Sequence, residues 1–152
     1  MKLRKTTKGH SIIELACVAV FMVVMALLSA NIGIVALGAS VNDRACRDAA
    51  RSAAQGSNST QALALAQAAL AAHPADGYFV TQSTLVTADF VYQDYGGSPP
   101  TDTSPYVSVT TTNKVRIPAP ILFLGCQFGP GGTLTFSRTY TFPIVKTTLY
   151  LN

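Results

Sequence analysis

From Leu15 to Leu28 the chain carries no polar side chain, and the apolar character continues more loosely to Leu37. A membrane span needs about 20 apolar residues at about 1.5 Å each. Ile12 to Leu37 offers about 26, interrupted by Glu14, Ser29 and Asn31, which is enough to cross a bilayer with some tilt. It also exceeds the roughly 7–15-residue apolar core of an ordinary secretory signal. Beyond it, Ser40 to Gly56 is rich in alanine and free of proline, with Asp43/Arg47 and Arg44/Asp48 spaced i,i+4. The pattern predicts one continuous helix from about Ser11 to Gln55, stopped at Gly56, with its first half in lipid. Such a helix is about 65 Å long, and its outer half needs a domain or other copies to pack against.

A second helix is predicted from Gln61 to Ala72. Asn58 caps it, Gln61 stands in the capping-box position, Leu63, Gln67 and Leu70 share a stripe, and Pro74 closes it. After Pro74 the period changes to two. Val107, Val109, Thr111, Asn113, Val115 and Ile117 share one face, with Tyr106, Ser108, Thr110, Thr112, Lys114 and Arg116 on the other. Leu134, Phe136, Arg138, Tyr140 and Phe142 alternate with threonine and serine in the same way, and Tyr78 to Tyr92 reads as a less regular strand pair. Gly96-Gly97-Ser98-Pro99-Pro100 and Gly129-Pro130-Gly131-Gly132 mark the breaks, and Pro118 and Pro120 leave Ile121 to Leu124 as a loop or edge. The expected fold class is α+β: a long amino-terminal transmembrane helix packed on a small antiparallel sheet of three to five strands, one face of it wet. The expected division is a leader over 1–9, the long helix over 10–56 and an extracytoplasmic α+β domain over 57–152.

Charge sharpens the topology. The formal net charge is +4 and the pI about 9.1, which would ordinarily raise nucleic-acid binding. The excess lies wholly in Lys2, Arg4, Lys5 and Lys8; without them basic and acidic side chains balance. Basic residues flanking an apolar segment stay on the cytoplasmic side, so the rest of the chain is expected outside the cytoplasm, with no nucleic-acid partner.

Within this frame Glu14 is the informative residue. A carboxylate in a membrane segment costs roughly 2.5–3.5 kcal/mol on insertion scales and by default marks function. The basic leader ends at Gly9, five residues before it. Cleavage after Gly9 would make Glu14 the fifth residue of the mature chain, able to neutralise a new amino terminus, its own or a neighbour's. The layout Gly9-His10-Ser11-Ile12-Ile13-Glu14, followed by a long apolar helix, resembles the type IV prepilin family. Within it, the alanine- and arginine-rich continuation Ala45 to Gln55, the short second helix and the strand-rich end resemble the TadE/TadF-like pseudopilins of tight-adherence (Flp) pilus systems. The resemblance implies a non-enzymatic minor pilin or pseudopilin, a structural or assembly subunit serving surface attachment. It implies cleavage between Gly9 and His10 by a prepilin peptidase, methylation of the new terminus, and Glu14 as the assembly carboxylate. Its partners would be that peptidase, other pilin or pseudopilin subunits and the bacterial inner membrane. His10 departs from the commoner apolar first residue of the mature chain.

Other readings stay open. Type II secretion pseudopilins are close competitors. Ala36-Leu37-Gly38 fits a conventional signal-peptidase site that would start the mature chain at Ala39, leaving a secreted or anchored envelope binding module. Glu14 stands where a lipobox before Cys17 would need apolar residues, so Cys17 reads as a thiol in a membrane helix. Cys46 and Cys126 both fall beyond the membrane, where an oxidising envelope permits a disulfide, while free or intermolecular thiols stay open. No catalytic constellation, phosphate-binding loop or cofactor motif is present in the sequence. Asp89, Asp94 and Asp102 read as turn residues and His73 beside Pro74 as a helix end, so no metal is expected.

Overall fold

One helix, α1, runs unbroken over Lys8–Ala53, about 69 Å at the helical rise. The computed structural model describes residues 8–117, 122–123, 126–127 and 132–144, with side chains described for 12–117 and 132–144. Every side chain from Ile12 to Ala30 is exposed, Ile12 at 70% and Leu15 at 71%, and the segment is long and apolar enough to cross a membrane. Burial begins where the residues become small or polar: Asn31, Gly38 and Asn42, then Ala45, Cys46, Ala49, Ala50 and Ala53. Small side chains bury little area each, about 0.8 kcal/mol per methyl-sized group, but they bring the backbone of α1 close to whatever lies against it.

Helix α2, Ser59–Ala71, packs on this carboxy-terminal half of α1. Asn58 caps it as expected, its side chain accepting from Gln61 N at 2.8 Å. Gln61 reaches back one residue further than the capping box requires, to Ser57 N at 3.0 Å. The buried stripe differs from the expected one. It is Ala62, Ala66 and Leu70, with Gln67 exposed and Leu63 only half-buried. The cause lies at Gly56, where an added Cβ would stand 2.6 Å from the Ala62 backbone. At that separation the smallest side chains fill the contact, and leucines fit only at its margins. Tyr92 closes the corner by donating to the Gly56 carbonyl at 2.9 Å.

The sheet is built around β3, Tyr106–Arg116. On one side β6, Thr133–Pro143, pairs antiparallel along its full length, from Tyr106↔Pro143 to Arg116↔Thr133. On the other side lie β2, Val91–Gln93, and β1, Thr84–Leu85, one after the other, with the Val80↔Val115 bridge beyond. The Tyr78–Tyr92 segment is therefore not a strand pair. Its two strands both bond to β3, separated by a 3-10 turn at Thr87–Asp89. Two short strands, β4 at Leu122–Phe123 and β5 at Cys126–Gln127, form their own antiparallel ladder; the rest of Ile121 to Leu124 lies outside the described residues.

The face expected to be buried on β3 is the one that meets α1, with Val107, Val109, Thr111, Asn113 and Val115 all buried. The opposite face carries the hydroxyls, which pair across strands: Thr110 with Thr139 at 2.8 Å and Thr141 donating to Ser108 at 3.2 Å. The structure is α+β, a long apolar amino-terminal helix with a small antiparallel sheet.

Candidate functional site

Two regions carry the sequence-level candidates. The first is the amino-terminal turn of α1. Gly9 and His10 lie within the helix, their side chains outside the described residues. Glu14 is exposed, flanked by Ile13 and Leu15, and has no ion-pair partner among the described residues. Ile13, Cys17, Val20, Phe21 and Val24 line a shallow apolar strip along the same helix, with Cys17 a free, exposed thiol. Further along, Ser29 donates to the Met25 carbonyl at 2.8 Å, which satisfies the hydroxyl inside an apolar run. A carboxylate in an exposed apolar stretch is costly in lipid, where such a group by default marks function.

The second region is the joint between α1 and the sheet, where polar contacts recur every four residues along the helix. At Gly38 the carbonyl accepts from Asn113 Nδ2 at 2.9 Å. At Asn42, Oδ1 accepts from Thr111 Oγ1 at 3.0 Å, and Nδ2 makes long contacts of 3.4 Å to the Thr111 and Phe136 carbonyls. At Cys46 the thiol donates to the Arg138 and Val109 carbonyls, at 3.2 and 3.4 Å. Beside this row Asp43 accepts from the Tyr140 hydroxyl at 2.9 Å and pairs with Arg47 at 3.0 Å, while Arg47 lies 5.3 Å from the centre of the Tyr140 ring. The hydrogen bond with Tyr140 and the Asp43 charge raise the Arg47 pKa. The expected Asp43/Arg47 pair is thus formed. Asp48 pairs not with Arg44 but with His73, Nε2 to Oδ2 at 3.0 Å, tying α1 to the end of α2.

Cys46 is a free thiol, fully buried. Burial pushes its pKa up, against the lowering effect of its hydrogen bonds with Thr111. The possible disulfide with Cys126 falls on a side chain that lies outside the described residues. Sequence reasoning also missed the joint itself. Asn42 and Asn113 were read only as positions on a helix and a strand. The available signal was a run of Gly38, Asn42 and Cys46 at i,i+4 spacing among alanines, facing a strand whose apolar face is broken by Thr111 and Asn113.

Asp94 accepts from Gly96 N at 3.1 Å in a short turn, in keeping with turn chemistry. Among the described residues no group of three or more His, Cys, Asp or Glu side chains converges. No protein-family model, curated protein or solved structure matches the chain.

Proposed function

We propose that the chain is a pilin-like subunit, a minor pilin or pseudopilin of a tight-adherence-type pilus or related secretion system, working by helix packing rather than catalysis. The observation that carries this reading is Glu14: an exposed carboxylate without a partner among the described residues, near the start of an exposed apolar helix. In the proposed assembly the amino-terminal half of α1 lies in the bacterial inner membrane and later against neighbouring copies. A prepilin peptidase frees the amino group of His10, and Glu14 of one subunit neutralises such a terminus on the next. The division of α1 supports the same reading. Bulky apolar side chains fill the half that meets lipid or other subunits, and glycine, alanine, asparagine and cysteine fill the half that the sheet grips.

The mature amino terminus tests the proposal. Mass spectrometry of the protein from its own host is expected to find His10 as the first residue. A start at Ala39 would make α1 largely a secretory signal and favour an envelope binding module, and retention of Met1 would leave an uncleaved anchor.

A further inference from the structure

The sheet has a second polar feature, away from α1. On the outward face of β3, Lys114 and Arg116 stand two residues apart, both exposed, with Thr133 paired opposite Arg116 on β6. The segment 77–81 lies along the other edge, held by Arg116 N to the Phe79 carbonyl at 2.7 Å and Lys114 N to Thr81 Oγ1 at 2.8 Å. Together these residues and Tyr78 line an open pocket of about 330 Å³. Tyr78 is 66% exposed, and the Arg116 guanidinium lies 5.8 Å from the centre of its ring.

The pocket's cations, Lys114 and Arg116, have no ion-pair partner among the described residues. The carboxylate nearest to Tyr78 in sequence, Asp76, makes no ion pair with either cation; its Oδ1 accepts from the backbone N–H groups of Tyr78, Phe79 and Val80 at 3.1, 3.1 and 2.8 Å. Two like charges side by side on one strand face repel, and an anion between them relieves that.

Its place on the helix indicates which anion. β3 runs antiparallel to α1, since Cys46 meets the Val109 carbonyl whereas Gly38 meets Asn113 and Val115. The Lys114–Arg116 end of β3 therefore points back toward the exposed apolar half of α1. A hydrocarbon core of about 30 Å takes about 20 residues, from Ile12 to Asn31, which is where burial by the domain begins. Gly38 then stands about 10 Å further out, a few Å beyond a headgroup layer of about 5–7 Å. The Lys114–Arg116 end of β3 reaches back from there toward the headgroups with long basic side chains. Tyrosine is enriched at membrane–water interfaces, and lysine and arginine beside it supply the charge that acidic headgroups complement.

We propose that Lys114, Arg116 and Tyr78 form a docking site for acidic phospholipid headgroups of the leaflet from which α1 emerges. The site seats the sheet domain on the membrane before assembly, and leaving the bilayer for a filament releases it. The inference rests on the reading that the amino-terminal half of α1 spans the bilayer.

The chain has no tryptophan, so a Tyr78→Trp substitution introduces a single reporter. The full chain would be reconstituted in phosphatidylcholine nanodiscs, with or without phosphatidylglycerol, using lipids brominated near the headgroup as quenchers. Quenching is expected to rise with the acidic lipid, each cation shifting the docked population roughly fivefold. It should fall back in high salt and in the Lys114→Gln/Arg116→Gln background, whose exposed sites leave folding intact by circular dichroism. Equal quenching in the two lipid mixtures, or full quenching in the double variant, would overturn the proposal. So would a response to soluble acidic polysaccharide without one to lipid. A separate Phe21→Trp protein, quenched by lipids brominated deep in the acyl chain, reads the span itself. Failure there removes the membrane reading, whereas deep quenching there with no acidic-lipid response at position 78 removes only the headgroup site.

Discussion

Asn113 donates its Nδ2 hydrogen to the Gly38 carbonyl at 2.9 Å, and this bond joins the end of the central strand to the helix at the point where the apolar run gives out. Two environments meet along this stretch. Up to Ala30 α1 is bare among the described residues, from Asn31 to Leu37 it is partly covered, and from Gly38 on it is gripped by the sheet and by α2. In the proposed assembly, a subunit that moves from membrane to filament uses that division. The exposed half can exchange lipid for protein while the domain stays in register on the other half.

The grip depends on Gly38 having no side chain. A Cβ there would overlap the Cγ2 methyl of Val115. Gly38→Ala is expected to destabilise the domain by about 1–3 kcal/mol, the usual cost of overpacking a filled contact. Thermal unfolding measures it, and pairing with Val115→Ala should recover part of the loss. An additive double variant would show that the two residues do not press on each other in solution.

Asn113 should matter less than its burial suggests. The Gly38 carbonyl already has a helical position within α1, so losing the side-chain donor leaves it satisfied. Asn113→Ala is then expected to cost about 1 kcal/mol, near the net value of one hydrogen bond. Chemical denaturation of the domain checks this. A cost of several kcal/mol would mean that Asn113 fixes the helix–sheet register as well as bonding to it.

Much of this architecture was legible because two periodicities dominate the chain. The unbroken run from Leu15 to Leu28 gives a lipid-type helix, and the alternation from Val107 to Val115 places five residues on the face that meets α1. What was not legible depends on separation rather than pattern. Leu63, Gln67 and Leu70 look like the natural stripe of α2, yet only Leu70 of these is buried, in line with Ala62 and Ala66. It is the close approach of Gly56 to the Ala62 backbone, which no hydrophobic scale contains, that favours the small residues. The pairing of β1 and β2 with β3 was hidden because each is too short to show a period. Glu14 was found only because charge is rare in such a run, whereas the polar row at Gly38, Asn42 and Cys46 has no charge to draw attention.

Cys46 offers a sharper comparison. A disulfide with Cys126 would make the domain sensitive to reductant, whereas a buried free thiol bonded to two sheet carbonyls would not. The expected outcome is no effect of reductant on unfolding, and no alkylation of Cys46 until the domain unfolds. The raised thiol pKa adds a pH signature. Above the ordinary thiol value of about 8.5 the unfolded chain loses its proton while the folded chain keeps it, so stability falls as pH rises from there. Cys46→Ser removes this alkaline slope. A reductant-sensitive domain with an unchanged slope would restore the disulfide.

Processing gives a test independent of the domain. If a prepilin peptidase cuts after Gly9, a bulky residue at that position should block cleavage and leave the full-length precursor in the membrane. Gly9→Leu is therefore expected to abolish maturation while leaving insertion and folding unchanged, read by mass and by protease protection. Normal maturation of this variant would end the prepilin reading.

Glu14 decides whether the bare half of α1 is an anchor or an assembly surface. In lipid its carboxylate is a liability of roughly 2.5–3.5 kcal/mol, so Glu14→Ala should insert at least as well as the unaltered chain. In an assembly the balance reverses, because a neighbour's buried amino terminus loses its counter-charge and an uncompensated buried charge costs about 3–5 kcal/mol. Loss of about two to four orders of magnitude in recruitment follows, with membrane levels unchanged. Glu14→Gln separates charge from size: it keeps the shape and the hydrogen-bonding capacity but not the charge, and should fail nearly as badly. Co-purification of tagged and untagged copies from the same membranes measures both variants. If Glu14→Gln assembles as well as the unaltered chain, the carboxylate serves as a polar contact at the interface and not as the partner of a neighbouring terminus.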